Sequence, residues 1–132
     1  MTGDEKTTIE DLKNLVKRFI EDRDWGKYHN AKDIAVSITI EASELLEIFQ
    51  WVGDDELQKV LANSEKHGSL EEEIADVLIY CFSLANATNI DIARAVRAKI
   101  EKNKEKYPID AVKGDYKKYT ELGRYKASQD EA

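Results

Sequence analysis

The sequence is poor in the residues that pin small proteins together: one cysteine, one proline, two histidines and six glycines in 132 residues. A lone thiol, Cys81, forms no intramolecular disulfide, and no Cys/His cluster has the spacing of a zinc site. That pattern fits a reducing compartment. Long hydrophobic runs are also missing: nowhere do eighteen uncharged apolar residues follow one another, and the first thirty residues hold nothing resembling a secretory signal. A cytoplasmic protein is the expectation, with no membrane as partner. At this length, and with 42% hydrophobic residues, one domain over 1–132 can bury a core without metal or disulfide support.

Charge is lopsided. The formal net charge is −7, yet residues 93–126 carry 11 Lys/Arg against 5 Asp/Glu, so the remainder is strongly acidic. Such a chain meets a polyanion only through local cations or through metal ions that invert the field. Nucleic acid is therefore not an expected partner, although a basic stretch over 94–118 would bind it with an affinity that falls steeply with salt.

Scarce proline and glycine beside abundant Ala, Leu, Glu, Lys and Ile predict an all-α protein, four-helix-bundle-like, with a helical body over about 8–107. Thr8 and Asp11 have capping-box spacing and open a first helix to about Asp22, its apolar residues Leu12, Leu15, Val16, Phe19 and Ile20 recurring at three and four. Asp24 to His29 breaks the period. Asn30 is the expected cap of a second helix, running to about Val52 and stopped by Gly53. An additional short helix then carries Leu57, Val60 and Leu61 and ends at Gly68. Ser69 and Glu72 have capping-box spacing for a third long helix ending near Asn86 to Asn89, and a fourth starts at Ile90 and must end by Tyr107, ahead of Pro108. Past Pro108 the pattern fades, and the C-terminal arm at 108–132 is either an extended tail docked on the body or partly disordered.

The chemistry sits in acids placed beside apolar stripes. On a helical wheel the second helix buries Ile34, Ile38, Ala42, Leu45, Phe49 and Val52; Glu41 falls at the edge of that arc, Glu44 beside it, and Glu47 away. The third long helix repeats the arrangement with Glu73 and Asp76. Packed together, the two helices would gather four carboxylates around one small volume, where repulsion and desolvation demand neutralisation. Hard divalent ions with oxygen ligands provide it, Mg²⁺ first and Mn²⁺ as a substitute. A di-iron centre is set aside, because neither His29 nor His67 has a glutamate three residues before it. Acids at i, i+3 on helix shoulders are also common solvated faces, and Glu71 to Glu73 suit a helix N-terminus on dipole grounds alone.

Lys99, Asn103 and Tyr107 follow at i, i+4, i+8 and could hold phosphate oxygens; equally, a lysine can simply snorkel past a core. Trp25, Tyr28, His29 and Trp51 offer flat faces to a base, or pack as aromatic residues commonly do.

Taken in order, the segments Trp25-x-x-Tyr28-His29, Ile40-Glu41-Ala42-Ser43-Glu44-Leu45, Phe49-Gln50-Trp51, Glu72-Glu73-Ile74-Ala75-Asp76-Val77-Leu78-Ile79-Tyr80, Asn103 and Tyr107-Pro108 resemble the MazG-like nucleotide pyrophosphohydrolases. Phe-Gln-Trp, Asp-Val-Leu-Ile-Tyr and Lys118-Tyr119-Thr120-Glu121 are similar to the dCTP pyrophosphatase branch of that all-α superfamily. The superfamily pattern Glu-Glu-x-x-Glu, then Glu-x-x-Asp, is kept as Glu41, Glu44, Glu73 and Asp76, with Ile40 in the first position. The resemblance implies Mg²⁺-dependent cleavage of a nucleoside triphosphate between the α- and β-phosphorus atoms, with dCTP or a modified pyrimidine dNTP as substrate, in cleansing of the nucleotide pool. It makes the four acids metal ligands and catalytic residues. Lys99, Asn103 and Tyr107 would then meet phosphate, Tyr80 would face the sugar, and Trp25, His29 and Trp51 would flank the base. It also implies a homo-oligomer, a dimer or a tetramer, with a homotetramer expected. The competing class is a non-catalytic helical module that senses nucleotide or docks a protein.

Overall fold

The computed structural model describes residues 3–114. Among these the protein is all-α: α1 (Ile9–Glu21), a 3₁₀ turn (Gly26–Tyr28), α2 (Ala31–Glu47), α3 (Leu57–Ala62), α4 (Ser64–Thr88), α5 (Ile92–Lys106) and α6 (Ile109–Val112). They fall into two compact units divided between Ile90 and Asp91.

In the first unit α4 is the hub, with α2, α1 and α3 packed on it. The tight centre is small: Ile34 is 1% exposed, and Val16, Phe82, Ser83 and Ala85 are buried with it. Cys81 is half-buried on α4. One residue ties α1 to the far end of α4, since the Lys13 carbonyl accepts from Asn86 Nδ2 at 2.9 Å and the Lys13 ammonium donates to the Ile90 carbonyl at 2.9 Å.

Local sequence explains the helix starts. Thr8 and Asp11 form the expected capping box, the Asp11 amide donating to Thr8 Oγ1 at 3.1 Å and the Thr8 amide to Asp11 Oδ2 at 2.8 Å. Asn30 caps α2 through the Asp33 amide at 2.9 Å, and Asp91 caps α5 through the Arg94 amide at 2.9 Å. The fourth long helix thus begins at Ile92, two residues after the expected Ile90 because Asp91 is its cap, and ends before Pro108, as the proline requires.

Three further boundaries differ from expectation. The α-helix of α2 ends at Glu47, five residues short of Val52, where the chain tightens into i→i−3 turns, Phe49 N–H to the Leu46 carbonyl and Val52 N–H to the Phe49 carbonyl. The short helix ends at Ala62, because Asn63 adopts extended backbone and accepts the Lys66 amide at 3.0 Å, starting α4 six residues ahead of the expected cap. Ser69 therefore caps nothing, and its hydroxyl donates to the Glu65 carbonyl inside the helix. Gly68, expected as a terminator, is a helix-interior residue. Nothing lies within 4 Å of a Cβ added there, so Gly68→Ala should stabilise the protein by about 0.5–1 kcal/mol, read as a raised denaturation midpoint at constant slope. The expected C-terminal arm contains the one-turn α6 after Pro108; its remainder, with Tyr116, Tyr119, Tyr125 and the Lys118–Glu121 motif, lies outside the described residues.

Candidate active site

The packing of α2 on α4 brings together three of the four acids that the wheel points to; Glu44, expected among them, is exposed and lies outside the converging set. Glu41 from α2 and Glu73 and Asp76 from α4 each offer a carboxylate oxygen, and these oxygens lie within 4.8 Å of one another. All three residues are half-buried. Glu41 Oε2 and Glu73 Oε2 are cut off from solvent and have no hydrogen-bond partner. Burial pushes the Glu41 carboxyl above its ordinary range, reinforced by Glu44, Asp76 and Glu73; burial does the same to Glu73, reinforced by Glu44 and Asp76. Glu44 thus adjoins both acids while remaining exposed itself. Glu47 is exposed on α2, as its place on the wheel predicts.

Orphaned, desolvated carboxylate oxygens are costly in a folded protein. An oxygen-only set converging at this spacing suits a hard divalent cation, and the lack of any protein donor to the two buried atoms is what such an ion would remedy.

The other candidates lie on separate elements and differ in exposure. Tyr80 follows Asp76 by one turn of α4 and is half-buried. Trp51, just past α2, is 87% exposed, and Trp25, ahead of the 3₁₀ turn, is 43% exposed. His29 is half-buried, with Nδ1 2.7 Å from the Trp25 carbonyl. Because a carbonyl only accepts, Nδ1 carries the proton and Nε2 of the neutral ring is left as the acceptor. Lys99 and Asn103 lie one turn apart on α5 in the second unit, both exposed, and Tyr107 caps that helix with its amide on the Asn103 carbonyl at 2.8 Å.

Sequence reasoning passes over one group of residues, the surroundings of Trp25. Asp24 sits in the left-handed region at φ 51°, with its amide on the Glu21 carbonyl at 3.0 Å and the Trp25 amide on the Ile20 carbonyl at 3.1 Å. This is the Schellman ending of a helix, which brings the residue after the left-handed one back onto the last turn. Trp25 accordingly meets Phe19 edge-on, ring centroids 5.8 Å apart, and the Arg23 guanidinium lies 3.8 Å from the Phe19 ring centre. The signal for it was a phenylalanine, an arginine four residues on, and a tryptophan two beyond that.

Residues 36–122 match the MazG-like family. Over 125 residues the chain is 36% identical to dCTP pyrophosphatase 1 of Rattus norvegicus and 34% identical to dCTP pyrophosphatase 1 of Homo sapiens, covering 95% of this chain and 74% of each relative. The crystal structure of a pyrophosphatase from Archaeoglobus fulgidus superimposes with a TM-score of 0.71 at 45% identity, covering 82% of this chain and 99% of that one.

Proposed function

The chain belongs to the MazG-like family, and on that premise we propose that it is a metal-dependent enzyme cleaving a (d)NTP to (d)NMP and pyrophosphate, with dCTP or a modified pyrimidine dNTP as substrate. Its class, nucleotide pyrophosphohydrolase, follows from the family and from relatives that are themselves pyrophosphatases. The observation that carries the mechanism is the pair of buried, unpartnered oxygens on Glu41 and Glu73. Glu41, Glu73 and Asp76 would hold a divalent cation, Mg²⁺ or Mn²⁺, which when bound neutralises triphosphate charge and acidifies water.

Glu44 is the residue we assign as proton acceptor: it is exposed, outside the converging trio, and adjacent to Glu41 and Glu73. As the water oxygen bonds to the α-phosphorus, the bond from that phosphorus to the α,β-bridging oxygen breaks. The electron pair leaves with pyrophosphate, and Glu44 takes the water proton. Tyr80, one turn beyond Asp76, is assigned to the sugar, where a phenol excludes a bulky 2′ substituent. Lys99, Asn103 and Tyr107 are assigned to phosphate oxygens, and Trp25, His29 and Trp51 to the base. The family match runs across the division at Ile90, which supports reading both units as one domain.

Large exposed apolar side chains on α2 and α5, among them Val36, Ile40, Val96 and Ile100, support a homo-oligomer, dimer or tetramer, measurable by light scattering. No helix among the described residues is long and apolar enough to cross a membrane. Cleansing of the nucleotide pool in the cytoplasm is part of the proposal.

The deciding experiment is a panel of canonical and modified dNTPs and NTPs with Mg²⁺, with pyrophosphate separated from orthophosphate. Monophosphate plus pyrophosphate is expected, fastest from a pyrimidine deoxynucleotide. Orthophosphate release, or no turnover by folded protein, would overturn the assignment.

A further inference from the structure

Trp25 is nearly half exposed yet tethered through both its backbone and its ring, which core packing alone does not require. Its amide is fixed on the Ile20 carbonyl, and its own carbonyl accepts both the Tyr28 amide at 2.9 Å and His29 Nδ1 at 2.7 Å. Two groups set the indole itself. Phe19 presents a ring at 76° to it, and Arg23 stacks over Phe19 while its guanidinium carbon stays 5.9 Å from the Trp25 ring. Arg23 is fixed in turn, Nη1 donating to the Phe19 carbonyl at 3.0 Å. A planar cation tied to the carbonyl of the residue whose ring it covers has little freedom left, so the indole finds a firm surface behind it.

We propose that Arg23 is a positioning residue for substrate binding: by bracing Phe19 it holds the Trp25 indole in the orientation that stacks on the nucleobase. The proposal rests on the assignment of Trp25 to the base. A preset aromatic face binds a base without first losing its own rotational freedom, so loosening it weakens binding and leaves bond cleavage alone. The contribution should appear in KM and not in kcat.

The test pairs kinetics with fluorescence in the full chain. With the substrate found in the nucleotide panel, Trp25→Ala should raise KM about tenfold, the size of a lost base stack. Arg23→Ala should raise it about threefold with kcat unchanged. Arg23→Lys keeps the charge but lacks the plane, and is expected to behave like Arg23→Ala. In a Trp51→Phe background, where Trp25 is the lone indole, acrylamide should quench emission more readily once Arg23 is replaced. Full rescue of KM by Arg23→Lys would mean that charge alone matters and would overturn the brace, as would quenching unchanged in Arg23→Ala. Raised quenching together with an unchanged KM in Trp25→Ala would keep the brace and overturn the base assignment beneath it.

Discussion

Replacing Glu41 with glutamine is expected to reduce kcat by about 100- to 1,000-fold, the order seen when one preorganised electrostatic group is removed from a catalytic site. Asp76→Asn should do the same. Each substitution keeps the shape of the side chain and removes one of three carboxylates whose oxygens converge within 4.8 Å, so the loss falls on charge and ligation and not on packing. Without divalent ions both variants should melt no lower than the parent. Glu41 is held above its ordinary titration range by burial and by three neighbouring acids, and a neutral amide removes that repulsion while adding a donor for the carboxylates beside it. Glu47→Gln is the control: on the same helix, exposed and away from the trio, it should leave turnover intact. Steady-state kinetics beside circular dichroism melts read both effects, and retained turnover in Glu41→Gln and Asp76→Asn would dismiss the metal assignment.

The second large effect is stabilisation by the ion itself. Mg²⁺ at one hundred times its dissociation constant should add about 2.7 kcal/mol of stability by linkage, or about 10 °C in Tm for a chain of 132 residues. The gain depends on pH, and its sign is fixed by the shifts. Glu41 and Glu73 both titrate above the ordinary 4.5, so the folded protein holds protons that the unfolded chain releases. Stability without metal is thus favoured by these groups below about pH 4.5 and lost as pH rises through their raised values. Above that window the repulsion is fully developed and the ion relieves it, whereas below it protons compete with the ion for the same oxygens. Calorimetry with and without Mg²⁺ should show the difference in Tm widening with pH across this window and shrinking towards pH 4.5, with Mn²⁺ acting in the same way. A Tm indifferent to both ions at neutral pH would remove them as ligands.

How far the sequence carried these conclusions depended on the kind of signal. Glu41, Glu73 and Asp76 were visible because helical periodicity is a property of spacing, and spacing places side chains beside a stripe whatever the partner helix does. That Glu41 Oε2 and Glu73 Oε2 have no donor was not visible, since it depends on what α2 and α4 fail to offer each other once packed. Boundaries were misplaced where one local signal was taken and another passed over. The Ser69 and Glu72 spacing was taken as the start of the helix, with Gly68 as a stop before it, whereas Asn63 supplies the cap and a single interior glycine costs too little to break the helix. The Trp25 brace was hidden for a different reason. It depends on a left-handed aspartate, and Asp24 adopts that conformation at a position where glycine would have announced it.

The hub role of α4 also sets a timetable for synthesis. The principal contacts of α1, α2 and α3 are all with a helix that begins only at Ser64 and closes at Thr88. A growing chain therefore displays the apolar surface of three helices before their main partner exists, and at about 5–20 residues per second α4 needs roughly one to five seconds to be made. During that interval the nascent polypeptide is exposed to misassociation, and truncation before Ser64 would leave α1, α2 and α3 without the helix they pack on.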